Sequence, residues 1–167
     1  MVDIDITDAD EPAGSGLDEM LCFNLYAAAR ATNRLYNTLL APWDLTYPQY
    51  LVLKLLWSRQ SATVGEIAKS LMLDSGTTTP LVRRMETRGL LRRTRSTTDE
   101  RVVSVTLTTE GWALQEGMAD LTSDVGTATG LGATDAQSTI SALQSINKNL
   151  ADVLTSAAKS STQRTSQ

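Results

Sequence analysis

Cys22 is the one thiol in a chain of 167 residues that has no histidine. A thiol acts as nucleophile or redox centre through its thiolate, so a pKa of about 8.5 must fall for fast reaction at neutral pH. Without an imidazole, Ser–His and Cys–His nucleophilic systems are excluded. A structural zinc site needs about four Cys or His ligands, and the chain offers one. No internal disulfide can form, so any disulfide of Cys22 must reach another molecule. No cofactor is expected. Against a chemical role stands the usual fate of a lone cysteine on an apolar helix face, which is to serve as a small buried hydrophobe.

A second set of residues carries charge rather than reactivity. Seven arginines lie between Arg83 and Arg101, against Glu86, Asp99 and Glu100. Ahead of them Ser75, Thr77 and Thr79 make a small, hydroxyl-rich stretch that permits close approach to base edges and donates to phosphates. Arg83 and Arg84 match guanine's major-groove acceptors or a phosphate, according to where they point. Arg95 and Arg101 bracket a polar tip, with Asp99 placed to orient Arg101, and arginine is favoured in a narrow minor groove. The plainer alternatives are a solvated helix face and a turn whose ion pair contributes roughly 0–1 kcal/mol. The net charge of −4 does not decide against nucleic acid. Seven of the nineteen acids fall in residues 1–20, leaving fifteen basic residues against twelve acidic ones elsewhere.

Pattern then assigns elements to these residues. Residues 1–16 lack apolar periodicity and read as a disordered acidic arm. A helix is expected from about Leu17 to Leu40, with Leu21, Leu25, Ala28, Leu35 and Leu39 on one face and Pro42 marking its end. Leu45-Thr46-Tyr47-Pro48 opens a second helix, with Pro at an early position and Leu51, Leu55 and Leu56 inward, ending near Trp57–Ser61. Two short helices follow, Thr63–Leu71 and one that stops at Gly89, a C′ glycine; together they read as a helix-turn-helix. Pro80 crowds the carbonyl of Gly76 and predicts a local distortion. Leu90–Thr94 and Val102–Leu107 read as a hairpin, the wing. Thr108–Asp124 and Ala133–Ala158 close the chain as helices around a Gly-rich link at 125–132, and 159–167 read as a flexible tail. Trp43, Trp57 and Trp112 are expected to be packing residues. No apolar run approaches the ~20 residues of a membrane span, and a cytoplasmic location with no membrane association is expected.

The fold class is therefore mainly α with a small β-hairpin: a winged helix-turn-helix over about 45–107, flanked by N- and C-terminal helices over about 17–41 and 108–158, in one domain over 17–158. Here the sequence resembles the multiple-antibiotic-resistance regulator (MarR) family, and within it the organic-hydroperoxide-resistance repressors (OhrR) of one-cysteine type. The resemblance is carried by Leu21-Cys22-Phe23, Tyr26, Tyr36, Leu45-Thr46-Tyr47-Pro48-Gln49-Tyr50, the run from Leu73 to Leu81, and Asp99-Glu100-Arg101. It implies a homodimer built from those N- and C-terminal dimerisation helices, whose two wings and recognition helices read a pseudo-palindromic operator in double-stranded DNA. It also implies that Cys22 senses organic hydroperoxides, that Tyr36 and Tyr47 hydrogen-bond the cysteine across the dimer interface, and that Tyr26 lies near the site. Phenol donors favour the thiolate, because hydrogen bonds to the charged form lower a pKa. The first product is a sulfenic acid. With no second cysteine, lasting inactivation needs an external small thiol or over-oxidation.

Three other functions are separable from this one. A MarR-type repressor released by a small aromatic ligand would be insensitive to peroxide. A thiol peroxidase would turn over peroxide without operator affinity and would have no use for an arginine-bearing wing, so an enzyme is not expected. A protein-binding winged domain would tolerate charge reversal at Arg83 and Arg84.

Overall fold

The computed structural model describes the backbone of residues 16–95 and 102–164, and side chains within that range up to residue 157. The arm at 1–15 and the wing-tip residues Asp99 and Arg101 lie outside the described residues. Contacts divide the chain into two compact units, residues 1–121 and 122–167.

The first unit opens with α1 (Leu21–Leu40), which ends in a 3-10 turn, Ala41–Trp43. The helix starts four residues later than its apolar pattern suggests. Residues 17–20 instead form a turn closed by the Met20 amide on the Leu17 carbonyl (3.0 Å), while the Asn24 side-chain amide donates to the Asp18 and Met20 carbonyls. The Pro42 turn ends at Asp44 in the left-handed region (φ 52°) and leads to α2 (Tyr47–Arg59). The first amide of α2 is satisfied from α1, because Tyr47 N–H donates to Asn37 Oδ1 at 3.0 Å. Thr46 N–H donates to Gln49 Oε1 at 2.9 Å. Both bonds satisfy donors that a helix start would otherwise leave unpaired, and the first of them ties α2 to α1.

α2 turns Val52, Leu53 and Leu56 fully inward and leaves Leu51 and Leu55 half-buried, a rotation of the face expected from sequence. The run Leu51-Val52-Leu53-Lys54-Leu55-Leu56 is apolar nearly all round, so its pattern cannot select a face. Packing does. An aromatic ladder runs along this helix: Tyr36 stacks on Tyr47 (centroids 4.1 Å, 15°), lies 5.7 Å from Tyr50, and Tyr50 meets Trp57 edge-on at 6.2 Å. Trp57 is a packing residue with its polar handle used, its indole N–H donating to the Gly111 carbonyl at 3.0 Å.

α3 (Val64–Leu71) and α4 (Ser75–Thr87) form the helix-turn-helix, joined through Met72 in the left-handed region (φ 54°). Helix α4 runs continuously through Pro80. It closes at Gly89 (φ 75°), the C′ position expected. The wing strands β2 (Leu91–Arg95) and β3 (Val103–Leu107) pair antiparallel, Leu91 opposite Leu107 and Arg95 opposite Val103. A third strand, β1 (Ser61–Thr63), pairs with the other edge of β3, giving the order β1-β3-β2. Three residues are too few to show a period of two, which is why the sequence reads only a hairpin.

Beyond the sheet lie α5 (Thr109–Gly117), α6 (Leu121–Ala128) and α7 (Ala133–Arg164). The helix expected over Thr108–Asp124 is broken at residues 118–120, with Met118 buried at the break, and Val125 to Ala128 continue α6 instead of beginning the link. Gly117 faces the Trp43 indole so closely that a Cβ would sit 3.3 Å from it. The last helix passes the Ala158 boundary and reaches Arg164. Among the described residues no helix is long and apolar enough to cross a membrane.

Gly111 is the tightest approach in this unit: a Cβ there would meet the Leu90 carbonyl oxygen at 2.1 Å. Gly111→Ala must therefore push α5 off the wing base and should cost about 1–3 kcal/mol, the usual range for overpacking. Urea unfolding at fixed protein concentration would read this, and an unchanged midpoint would show that α5 sits further from Leu90.

Candidate functional site

Recognition helix α4 is pinned at both ends. At its start Asp74 is the N-cap, its Oδ1 accepting from Thr77 N–H (2.7 Å) and Oδ2 from the Thr77 hydroxyl (2.9 Å). These bonds hold the Asp74 carboxyl below its ordinary value. The Thr78 hydroxyl, fully buried, donates to the Asp74 carbonyl at 2.8 Å. At the far end Glu86 accepts from the backbone N–H (3.0 Å) and Nε (2.7 Å) of Arg93 on β2. The Arg93 guanidinium holds the Glu86 carboxyl below the usual carboxylate range. Arg88 reaches across to the start of α2, donating to the carbonyls of Asp44 and Trp43 and pairing with the Asp44 carboxylate at 3.4 Å.

Between these anchors stand the residues singled out from sequence. Ser75, Thr77, Arg83, Arg84 and Arg95 are exposed, and Thr79 is half-buried. Ser75, Thr79 and Arg83 recur at intervals of four and so share one face of α4. Thr79 and Arg83 line a groove of about 510 Å³, together with Arg93 and Arg95 of the wing and the start of α3. Arg83 and Arg84 also border a second groove of about 650 Å³ against Asp44, Thr46 and Gln49. Arg83 borders both grooves and so joins the wing arginines to Arg84 and Arg88. The Thr77 hydroxyl donates its proton to the Asp74 cap. Arg88, Arg93 and Glu86 escape sequence reasoning because their partners lie in other elements, and nothing in the local pattern separates an anchoring arginine from a solvated one.

The thiol residues are arranged differently. Cys22 is exposed near the start of α1. Tyr36 is buried near its end, stacked with Tyr47, whose phenol is pushed up by burial and by the neighbouring Tyr50. Fourteen residues of continuous helix separate Cys22 from Tyr36. At a rise of 1.5 Å per residue that is about 21 Å along the axis, and fourteen residues make nearly four turns, so both lie on one side. One protomer does not bring them together. Tyr26, one turn after Cys22, is exposed; its oxygen accepts from Arg30 Nη1 at 2.8 Å. Leu17, Met20, Leu21 and Phe23, neighbours of the thiol in sequence, are also exposed. In the second unit Ile140, Leu143, Leu150, Val153 and Leu154 of α7 are exposed. Among the described residues no cluster of three His, Cys, Asp or Glu could hold a metal ion.

Comparison with known proteins fits this architecture. The MarR family model matches residues 45–103. The chain is 45% identical over 144 residues to the HTH-type transcriptional regulator TtmR of Methylorubrum extorquens (strain PA1), covering 86% of this chain and 73% of that protein. It belongs to the MarR family. This is a family of winged helix-turn-helix transcriptional regulators, not of enzymes. The chain is also 47% identical over 105 residues to the organic hydroperoxide resistance transcriptional regulator of Bacillus subtilis (strain 168), covering 63% of this chain and 71% of that one. Among solved structures it resembles reduced AbfR bound to DNA, with a TM-score of 0.68 and 31% identity over 80% of this chain and 94% of that one.

The Glu86–Arg93 bridge yields a pH prediction. Because the folded value of Glu86 is lowered, its stabilisation is fully present above the ordinary value of 4.5 and is lost as pH falls through the folded value. Glu86→Gln should unfold more easily at pH 6 yet lose less stability between pH 6 and pH 3 than the parent. Parallel acid-dependence curves for the two proteins would show that the bridge does not couple to folding.

Proposed function

We propose that this MarR-family regulator is a dimeric repressor that binds a pseudo-palindromic operator and releases it when an organic hydroperoxide oxidises Cys22. One observation carries the reading: an exposed thiol and a stacked tyrosine pair lie on the same side of one helix, too far apart to meet within a chain. A two-fold contact is isologous, so if one copy's Cys22 reaches the partner subunit's Tyr36, the reverse holds as well. The apolar side chains exposed around Cys22 supply a surface for that contact. The Tyr47 phenol, pushed up by burial and by Tyr50, is protonated at neutral pH like any phenol and so able to donate. The 47% identity to a regulator of organic hydroperoxide resistance supports the choice of oxidant.

The chemistry needs no group beyond these. The Cys22 thiolate attacks the distal peroxide oxygen; an S–O bond forms as the O–O bond breaks, and the alkoxide leaves and takes a proton to become an alcohol. Sulfur is oxidised by two electrons and the peroxide is reduced by two. A small thiol then displaces the sulfenic oxygen as water, leaving a mixed disulfide whose bulk parts the α1 contact. Half-sites one helical turn apart, about 34 Å, tolerate little change in the spacing of the two α4 helices.

A gel shift with the chain's own upstream DNA tests this. Reduced protein should bind, and cumene hydroperoxide with a small thiol should release it, while Cys22→Ser stays bound under the same treatment. Release of the Ser variant would end the redox reading, and release by a small aromatic acid alone would favour the ligand-gated alternative. The DNA face has its own check. Arg83→Ala and Arg84→Ala should each weaken operator binding and flatten the dependence of log K on log salt by about 1 for each phosphate no longer neutralised. Unchanged slopes in both variants would remove these arginines from the interface.

A further inference from the structure

Arg93 stands where a strand facing a core would carry an apolar side chain. Alternate residues of β2 share a face, so Arg93 and Arg95 continue the side on which Leu91 is buried. Their cross-strand partners on β3, Val105 and Val103, are apolar. Two bonds keep Arg93 there: its backbone N–H donates to Glu86 Oε1 at 3.0 Å and its Nε to Glu86 Oε2 at 2.7 Å. Among the described residues its two Nη groups have no protein acceptor, so most of the guanidinium's donors are unspent. Arg93 lines the groove of about 510 Å³ together with Arg83 of α4, Arg95, and Val64 and Gly65 at the start of α3. No carboxylate lines that groove, and among the described residues neither Arg83 nor Arg95 has an ion-pair partner. Three like charges around one groove repel, and an anion seated there relieves the repulsion.

We propose that this groove seats a backbone phosphate of duplex DNA, with Arg93 donating to the phosphate and Glu86 acting as the positioning residue for Arg93. The inference rests on DNA binding by the winged helix-turn-helix and is independent of what Cys22 does. In B-form DNA one sugar–phosphate strand separates each major groove from the neighbouring minor groove. When a recognition helix lies in the major groove and the wing reaches the adjacent minor groove, that strand must cross the surface between helix and wing. Between α4 and β2 that surface is the groove of Arg83, Arg93 and Arg95. A phosphodiester is a monoanion whose two free oxygens match the paired N–H donors of a guanidinium fork. Two-point capture needs a fork of fixed orientation, and the Glu86 bonds to the backbone and Nε of Arg93 fix it from α4. Phosphate contacts set position without reading sequence, so this seat governs where α4 lies along the duplex rather than which bases it prefers.

The test is equilibrium binding of the reduced full-length protein to its own upstream DNA and to an unrelated duplex, each across a range of salt. Circular dichroism melting sets a temperature at which every variant is folded. Arg93→Gln should flatten the slope of log K against log salt by about 0.9 and weaken binding about eightfold at about 0.1 M salt, the contribution of one neutralised phosphate referred to about 1 M. Arg93→Lys should restore most of the slope because the charge is kept. Glu86→Ala separates positioning from charge: removing a carboxylate near a polyanion would by itself tighten binding, whereas loss of the positioning role weakens it, and weaker binding is expected. A single methylphosphonate scanned along the duplex should reach one position where the parent is weakened and Arg93→Gln is not. A parental slope in Arg93→Gln, a Lys variant as flat as the Gln variant, or equal methylphosphonate losses at every position would overturn the phosphate contact. Tighter binding by Glu86→Ala would overturn the positioning role. Failure of the operator reading is scored separately: the parent would then bind its upstream DNA no better than the unrelated duplex, on which the slopes still decide.

Discussion

An unbroken α1 is the constraint on which the functional logic depends. A helix is a ruler, and between residues 22 and 36 it has no proline or glycine at which to bend. Thiol and phenols are therefore held about 21 Å apart in each copy, at a rise of 1.5 Å per residue. The far end of the ruler is fixed by Asn37, which receives the first amide of α2, and by the stack of Tyr36 on Tyr47. From there the aromatic ladder passes through Tyr50 and Trp57 to the carbonyl of Gly111. The start of α5 is thus tied to the end of α1 by three rings, Tyr36, Tyr50 and Trp57, and one hydrogen bond, so a displacement of α1 has a packed route toward the base of the wing.

Recognition helix α4 is attached to its surroundings by directional bonds rather than by bulk. Partly exposed ion pairs such as Glu86–Arg93 and Arg88–Asp44 contribute only about 0–1 kcal/mol each. Their value is geometric: one links α4 to β2, the other to the turn before α2, and Asp74 caps the first turn. Short helices are marginal in isolation, and the eight-residue α3 stands only because Thr63 and Glu66 cap it reciprocally and Ile67 and Ala68 are buried. A helix held this way moves with its neighbours as a body. That suits an output read as the spacing between two such helices.

How much of this was legible in the sequence differs by kind of signal. Helices with a one-sided apolar stripe or a terminal glycine were readable: Thr63 and Gly89 announced the start of α3 and the end of α4, and the strand Val102–Leu107 was readable as β3. Elements whose signal is tertiary were not. β1 is three residues long and exists because β3 offers an open edge; the inward face of α2 is chosen by neighbours, since its own sequence is apolar nearly all round. The break before α6 follows from burial of Met118, which no local propensity reveals. For the site, residue types pointed to the exposed arginines of α4 and to Cys22. They could not separate Arg83 and Arg84 from the anchoring Arg88 and Arg93, nor show that Arg30 is held on Tyr26, because those distinctions live in distances between side chains.

A single cysteine also shapes what the proposed switch can report. With two cysteines in one chain a sulfenic acid would be captured at once by a neighbouring thiol at high effective concentration, and the signal would depend on peroxide alone. Here capture is bimolecular, so the lifetime of the sulfenic acid is set by the concentration of small thiol around it. When thiol is plentiful the mixed disulfide forms quickly and remains reversible by thiol exchange. When it is depleted, a second hydroperoxide reaches the same sulfur first and the product is a sulfinic acid, which exchange cannot restore. The same residue then separates mild from severe oxidation by the ratio of two second-order rates.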